Sequence, residues 1–462
     1  MKLKSLWQWS RRAPGSTSRN ATEERESTDQ NATVKRGQDG TKQHRALHLD
    51  GLKGLIALQA WVYAFFLILC PGVITDTAVD GAQPAAFLLG GPQWQDKIRT
   101  VMSPLLFDGS LQVSFFLVIS ARFISEGESR FFRNPDIAVL SRSIYLRPHR
   151  FVPLVAVAVA STRILLALQA FNSANRWSER LPSLYSVAPA SFSSFQEYLY
   201  FLTSFFFSTH DHLDYRPDSF YLPPRNTSWA LARTFQQSFT VYALLVILPF
   251  VRAKDRLGGL AAFALVAAWV GSWAWYSVSG VIISDLCHRG VLQSMSRSSW
   301  KVGQVAVRKC TFATCLFLVG AMLKYAGAVW PSVRKAELVA HAAQSTARLN
   351  HNFDTSQKAY PRFDNWFVVM AILCLVEMSP RMRKVLSSRL LRTFCKLSLA
   401  LHLVSGLVIQ TLGSELVEVS IARTNRIGTI LSTKDFSVAL AIAFILGMAN
   451  LLIRAAIGAA LP

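Results

Sequence analysis

Residues 49–69 read LDGLKGLIALQAWVYAFFLIL, and this stretch decides the fold of the chain. From Leu52 to Leu69 the only charged side chain is Lys53, which stands at the beginning of the run. Eighteen mostly apolar residues are enough for a helix to cross a hydrocarbon core of about 30 Å. Asp50 precedes the run, and its carboxylate is expected to act as an N-cap that accepts hydrogen bonds from the free amides of the first turn. The stretch therefore predicts a transmembrane helix.

The composition of the whole chain indicates that this helix is one of several. The 462 residues are 51% hydrophobic and only 16% charged, whereas soluble proteins usually contain about 25% charged residues. The apolar residues come in long blocks, and the basic residues that give a net charge of +22 cluster between these blocks. The positive-inside rule accounts for such clusters, so the lipid bilayer is the predicted partner and nucleic acid is not. A basic cytosolic face also attracts anionic lipids and anionic donors.

The distribution of apolar and basic stretches predicts an all-α, polytopic bundle of about ten spans. Residues 1–45 are polar and lack the apolar core of a signal peptide, so they are predicted to be a disordered cytosolic tail before a membrane domain at 46–458. Residues 258–287 would form about 45 Å of helix, too long for one crossing and short for two, and periodicity alone does not decide between them. Two crossings there place the neighbouring basic clusters on one side and put both termini in the cytosol. The predicted spans are 52–69, 105–124, 151–170, a fourth from Trp229, two within 258–287, then 310–329, 364–379, a ninth from Lys396, and 436–456.

The histidines and cysteines predict neither a metal site nor a disulfide framework. His210 and His212 flank Asp211, but no third ligand is evident nearby. The six cysteines lie in or beside apolar blocks without a CxxC pair, which is typical of small buried hydrophobes. No P-loop, GxSxG or HExxH motif occurs, which disfavours the enzyme classes that need them.

An ordered series of stretches resembles motifs of the acyltransferase-3 family of integral membrane proteins. The stretches are LDGLKG at 49–54, VSFFLVISARF at 113–123, RPHRFVP at 147–153, WALARTFQQSFTVY at 229–242 and KLSLALHLVSG at 396–406. Members of this family move an acyl group from a thioester donor onto a hydroxyl. The resemblance implies a membrane O-acyltransferase with acyl-CoA as co-substrate and no further cofactor. The implied acceptor is a hydroxyl of a small molecule, such as a secondary metabolite, or of a glycan.

Three positions depart from the ionisable residues of the family. The family places a histidine, the general base, eleven residues after the basic residue of the first helix, and this chain has Ala64 there. The family glutamate falls on Thr234, and a second family histidine falls on Ser405. A positioned general base contributes about 10²–10⁴-fold to a rate. These replacements put the activity in doubt more than the fold, which depends on the apolar pattern.

Five residues remain candidates for the chemistry. By the resemblance, Lys53, Arg147, His149 and Arg150 are expected to contact the phosphates of the donor; the alternative for each is a plain interfacial charge. His402 is the surviving candidate base, because a histidine inside a span is rare and costly. Its alternative role is an interhelical hydrogen bond.

The face of the first helix that carries Lys53, Ala57, Ala60 and Ala64 consists of small residues beyond the lysine. Such a face suits either an acyl chain in a groove or the close packing of a neighbouring helix. Two other functions stay open. One is a catalytically degenerate scaffold or binding protein that keeps the fold. The other is a transporter of lipidic or acylated cargo, although transporters usually show intramembrane charges and repeated, broken helices, and the sequence shows few such charges and no repeat.

Overall fold

The computed structural model describes most of the chain between residues 47 and 416. The described residues are 47–74, 93–127, 137–180, 187–207, 221–224, 227–297, 299–302, 305–308, 310–330, 332–333, 336–337 and 360–416. The predicted tail at 1–45, the His210 region and the predicted span at 436–456 lie outside them. Internal contacts divide the chain into units of 1–48 and 49–462. Apart from the first two residues of the first helix, everything described below belongs to the second unit.

The regular structure of the described residues is helical apart from one β-hairpin. In this hairpin β1 (Ser299–Val302) pairs antiparallel with β2 (Val305–Arg308). Short 3₁₀ segments occur at Pro71–Val73 and Leu248–Phe250, and a π turn occupies Ile409–Gly413. The helices are α1 Leu47–Leu69, α2 Gln93–Val101, α3 Ser103–Leu106, α4 Gly109–Gly127, α5 Ile137–Ala167, α6 Asn172–Arg180, α7 Phe195–Phe207, α8 Trp229–Ile247, α9 Ala253–Trp269, α10 Ala274–His288, α11 Val291–Arg297, α12 Cys310–Val329, α13 Phe363–Met378, α14 Pro380–Leu386 and α15 Arg389–Val408.

Six helical segments are long and apolar enough to cross a membrane. They are α1, α3 with α4, α5, α8 with the 3₁₀ turn after it, α12, and α15 with the π turn after it. Helices α13 and α14 meet the same criterion only as a pair, and they are bent by 100° where they join. The coarse prediction of a helical bundle with several candidate spans is therefore confirmed.

The apolar stretch at 258–287 forms two helices rather than one, and the predicted pair of crossings there stays a prediction, since neither helix is among the six candidate spans. After α9 ends, the amide of Gly271 donates to the carbonyl of Ala268 over 3.0 Å. Gly271 has a φ of +70°, a left-handed conformation that glycine adopts without the steric cost of a side chain. Helix α10 then packs against α9. The stretch is thus a helical hairpin.

The first helix begins earlier than its charge pattern suggests. Because α1 extends back to Leu47, Asp50 lies inside the helix, and the prediction that it is the N-cap is wrong. The side chain of Asp50 accepts from the thiol of Cys395, with the sulfur 3.6 Å from Oδ1.

Basic residues predicted to form loops lie on helices instead. Helix α5 begins at Ile137, ahead of the span predicted at 151–170, and continues through Pro148 and Pro153. Helix α15 begins at Arg389 rather than at Lys396. Long basic side chains reach the membrane surface from a buried stem, so a run of positive charge does not have to end a helix. Neighbouring groups also satisfy the backbone around a proline within a membrane helix.

Two glycines of α1 permit very close contact with α14 and α15. A Cβ atom on Gly51 would stand 1.5 Å from the carbonyl oxygen of Leu386, and one on Gly54 would stand 1.9 Å from that of Leu391. Both obstacles are backbone atoms, which cannot rotate aside. The start of α1 is therefore fixed against the segment that joins α14 to α15.

The aromatic stretch near residue 200 forms α7 and packs against α8. Phe206 is buried, and its ring meets that of Phe235 edge-on with the centroids 4.9 Å apart. In the first turn of α7, Oε1 of Glu197 accepts from the hydroxyl of Tyr221 over 2.5 Å, and Oε2 accepts from the amide and hydroxyl of Ser193. These donors, Tyr221 foremost, hold the pKa of Glu197 at about 2, because hydrogen bonds to the charged form favour it.

Candidate functional site

A cavity of about 370 Å³ lies at the end of the bundle where α1 begins. Five helices contribute to it: α1, α4, α5, α8 and α15. Its lining combines charged, hydroxyl, thiol and apolar side chains. The lining residues are Asp50, Lys53, Ser120, Phe123, Ile124, Ser143, Leu146, Arg147, Arg150, Tyr242 and Cys395.

Positive charge dominates the cavity. Lys53, Arg147 and Arg150 supply three positive charges, and Asp50 supplies one negative charge, so the lining carries a net charge of +2. At an effective dielectric constant of about 20, two unit charges 4 Å apart interact by about 4 kcal/mol. A cavity with this excess of cationic groups is therefore suited to an anion. Three of the four side chains predicted to bind donor phosphates meet here.

Arg147 is held by neutral groups, so its charge is not cancelled. Its Nη2 donates to Oγ of Ser120 over 2.8 Å, and its Nε donates to Oγ of Ser238 over 3.2 Å. The guanidinium carbon lies 4.8 Å from the centroid of the Phe151 ring, a cation–π geometry. Among the residues that the structure describes, Arg147 forms no ion pair with a carboxylate. The side chain is thus fixed in place with its charge directed at the cavity.

Lys53 has a similar environment. Its Nζ lies 5.9 Å from the centroid of the Phe123 ring, and within the described ranges no carboxylate oxygen pairs with it. Opposite, the hydroxyls of Ser143 and Tyr242 are 3.1 Å apart and share a hydrogen bond. These hydroxyl groups offer neutral donors beside the two cations. The cavity can therefore neutralise an anion and also hydrogen-bond it.

His149 does not reach the cavity. Its side chain is exposed on α5, and its ring packs against Tyr145 with the centroids 4.7 Å apart. Asp50 and Cys395, in contrast, line the cavity although sequence reasoning gave neither a role in donor binding. The signal that pointed to Asp50 was its place in the LDGLKG motif. The hydrogen bond between Asp50 and Cys395 joins residues 345 positions apart, and no sequence pattern predicted it.

Ala64 lies in an apolar environment. It is 7% exposed and belongs to a cluster that includes Ala57, Trp61 and, from α15, Leu401 and Val408. The small-residue face of α1 is thus packed, which supports the close-packing alternative over an open groove.

Thr234 and Ser405, which replace the other two ionisable residues of the family, form hydrogen bonds within their own helices. The hydroxyl of Thr234 donates to the carbonyl of Ala230 over 2.8 Å, and that of Ser405 donates to the carbonyl of His402 over 3.1 Å. His402 lies on α15 seven residues after Cys395. Seven residues are about two helical turns, so the two side chains share a face and are separated by about 10 Å along the axis. His402 is therefore aligned with the cavity but does not line it.

A buried ionic cluster at the opposite end of the bundle escaped the sequence reasoning. Lys324 of α12 pairs with Asp108, and its Nζ lies 3.7 Å from Oδ2 of Asp364. Arg362 pairs with Asp364 and lies 3.6 Å from Oδ2 of Asp108. All four residues are at most 5% exposed. The two cations and two carboxylates cancel, and such buried charges within a membrane domain are functional candidates by default.

Ser110 ties this cluster to α4. It donates to Oδ1 of Asp108 over 2.6 Å and accepts from Nη1 of Arg362 and Nδ2 of Asn365. Oδ1 of Asp108 also accepts from the amides of Ser110 and Leu111, so Asp108 caps α4 as well as pairing with Lys324. The charged residues were visible in or beside predicted spans, but their mutual contact was not.

A second buried ion pair lies near the cavity end. Nη2 of Arg122 on α4 is 2.6 Å from Oε1 of Glu377 on α13, and Glu126 lies 3.6 Å from the same nitrogen. Arg122 and Glu377 are 2% and 3% exposed. Arg122 lies within the stretch at 113–123 that resembles a family motif, but the resemblance gave its charge no role.

Comparison with known proteins identifies no relative whose function could be assigned to this site. No protein-family model, no curated protein and no solved structure matches the chain. The helices and the site define a class, a helical protein with several candidate membrane spans and a cationic cavity at one end of its bundle. The function is therefore inferred from this geometry together with the motifs.

Proposed function

We propose that the chain is an integral membrane O-acyltransferase of the acyltransferase-3 type, which moves an acyl group from acyl-CoA to a hydroxyl of a small molecule or glycan. The observation that carries the proposal is the convergence of Lys53, Arg147 and Arg150 on one cavity. Coenzyme A carries several phosphate charges, and guanidinium groups bind phosphate through paired hydrogen bonds. The cationic cavity is the place where these charges are neutralised.

Ten spans remain part of the proposal, beyond the six to seven that the described helices support by length and composition. Besides the six long segments, helices α9, α10 and α13 are apolar helices of 17, 15 and 16 residues. With the predicted span at 436–456 they complete a set of ten. An even number places both termini on one side, and the positive-inside rule makes that side the cytosol, where acyl-CoA is available.

In the proposed reaction the acceptor hydroxyl attacks the thioester carbonyl. A bond forms between the hydroxyl oxygen and the carbonyl carbon, the carbon–sulfur bond breaks, and coenzyme A leaves as the thiolate. The hydroxyl proton passes to the imidazole of His402, the candidate base on α15. Arg147, fixed by Ser120 and Ser238, orients the donor by holding its phosphates.

Two alternatives have an observation of their own. The apolar packing of Ala64 and the internally bonded Thr234 and Ser405 favour a scaffold that keeps the fold without catalysis. The buried ionic cluster around Lys324 and the helix break between α3 and α4 favour a transporter, because both are features of transport proteins.

Binding and turnover separate these functions. The purified full chain is given radiolabelled acyl-CoA, first alone to measure binding and then with a panel of hydroxylated acceptors. Arg147→Gln is expected to weaken binding by about 10- to 100-fold, the range for a lost charge-assisted hydrogen bond. Arg163→Gln, an exposed site on the same helix, is the matched control and keeps full affinity.

Acyl transfer that is lost in His402→Ala while acyl-CoA still binds supports the enzyme and its base. Binding without transfer to any acceptor supports the scaffold. Equal affinity of wild type and Arg147→Gln for acyl-CoA overturns the assignment of the cavity as the donor site.

A further inference from the structure

Residues 379–396 form a bent segment, here called the basic elbow. It consists of Ser379, the short helix α14 and the first two turns of α15. Helix α14 is bent by 100° from α13, so it runs across the direction of that helix. Helices that combine basic and apolar side chains can lie along a membrane surface.

The basic elbow carries six positive charges and no negative charge. The residues are Arg381, Arg383, Lys384, Arg389, Arg392 and Lys396. Among the described residues none of the six pairs with a carboxylate. The Nε atoms of Arg383 and Arg392 are buried and have no hydrogen-bond partner within the same set. Within the described part of the chain, no carboxylate neutralises the positive charge of this segment.

Apolar side chains are exposed between these charges. Val385 is 68% exposed, Leu390 66% and Met382 39%. Water disfavours such an arrangement, because it leaves apolar area unburied. A lipid surface suits it, since the apolar groups enter the region of the acyl chains while the basic groups stay at the level of the phosphates.

The basic elbow is also held in a defined position. Leu386 is buried, and its carbonyl oxygen faces Gly51 of α1 at a distance that no Cβ atom would allow. Gly54 makes the same kind of contact with Leu391. The charges consequently sit on a fixed backbone beside the cavity that Asp50 and Lys53 line, and not on a free loop.

We propose that the basic elbow is a binding site for anionic phospholipid headgroups in the leaflet that it faces. The unneutralised charges attract the phosphate and carboxylate groups, and the exposed apolar residues between them enter the same leaflet. This proposal does not depend on the acyltransferase reaction.

The test measures which lipids the full chain retains. The protein is equilibrated in mixed micelles of phosphatidylcholine and phosphatidylserine, purified, and its bound lipids are quantified by mass spectrometry. Wild type is expected to be enriched in phosphatidylserine relative to the micelle. Arg381→Gln/Lys384→Gln is expected to lose this enrichment by about five-fold for each charge removed, whereas Arg381→Lys/Lys384→Arg retains it.

A matched control removes two exposed basic residues elsewhere. Arg252→Gln/Lys254→Gln lies at the start of α9, next to the acidic Asp255, and is expected to leave the enrichment unchanged. An equal loss in this control would show a general effect of net charge and overturn the site. A ratio of bound lipids equal to that of the micelle in wild type would overturn it as well.

Two further measurements use only wild type, so they stand even if a variant fails to fold. Raising the salt concentration shortens the Debye length and is expected to reduce the enrichment; salt-independent retention contradicts the proposal. Inorganic phosphate at constant ionic strength is expected to have no effect. If it abolishes the enrichment, the elbow binds phosphate ions and the assignment to phospholipid fails.

Discussion

The buried ionic cluster yields a prediction whose size follows from its charge balance. Lys324 is 1% exposed and touches both Asp108 and Asp364. Lys324→Met leaves two buried carboxylates against the single charge of Arg362. Removal of one partner from a buried ion pair costs about 3–5 kcal/mol, because the remaining charge stays buried without compensation.

A second substitution restores the balance. Asp108→Asn removes one carboxylate, and its side-chain oxygen can still accept from the amide of Ser110, 2.9 Å from Oδ1 in the structure, since Asn caps helices about as well as Asp. The double variant Asp108→Asn/Lys324→Met keeps Arg362 paired with Asp364. We expect it to recover about 3 kcal/mol relative to the sum of the single variants, which is the upper end of measured couplings.

The assay is thermal unfolding of the purified protein in one detergent, followed by the folded fraction in size-exclusion chromatography. At about 2 °C for each kcal/mol, Lys324→Met is expected to lower the Tm by about 6–10 °C. All variants are heated at one rate, because the Tm of an irreversible transition depends on the rate. An unchanged Tm in Lys324→Met, or a double variant less stable than that single variant, refutes the cluster as described.

Three further predictions concern helix contact, pH and topology. Gly54→Leu is expected to destabilise the protein by at least about 3 kcal/mol, because its Cβ would overlap a backbone oxygen of α15. Gly258→Leu is the control in the same unfolding assay, because a Cβ atom there meets nothing within 4 Å beyond its chain neighbours and its own helix backbone. The pKa of Glu197 is lowered to about 2. The hydrogen bond from Tyr221 to the Glu197 carboxylate therefore stabilises the fold at pH values above the usual carboxyl pKa, and this stabilisation is lost as the pH falls toward 2. Tyr221→Phe therefore shifts acid-induced hydrogen exchange in α7 to a higher pH, and an unchanged profile contradicts this. A reporter inserted after Gly290 is expected on the same side as one at the N-terminus, and opposite to one in the α9–α10 turn.

Much of the helical pattern could be predicted from apolar length and charge. The break within 258–287 is an example, because about 45 Å of continuous helix is too long for one crossing. The starts of α1, α5 and α15 were less predictable. A prediction based on charge places basic residues in the loops outside a span. A helix can nevertheless continue through arginine and lysine, because their side-chain stems are apolar.

The site was predictable where residues are close along the chain or share a motif. Lys53, Arg147 and Arg150 were identified by charge and motif, and they do meet in the cavity. His149 was chosen by the same reasoning, yet α5 turns it outward onto Tyr145, because neighbouring positions on a helix point in different directions. The contact of Asp50 with Cys395 required tertiary structure.

Helices α4 and α13 are joined by polar side-chain contacts at both of their ends, and these contacts limit how the two helices can move. Near their starts Nδ2 of Asn365 donates to Ser110 over 2.9 Å, and near their ends Arg122 meets Glu377 at 2.6 Å. Both intervals are twelve residues, about 18 Å of helix, so the two helices run parallel with matched spacing between the links. A shift of one helix by a single turn would break both links together. The two links hold this pair of helices together, so an opening of the cavity must come from α1, α5, α8 or α15, which also line it.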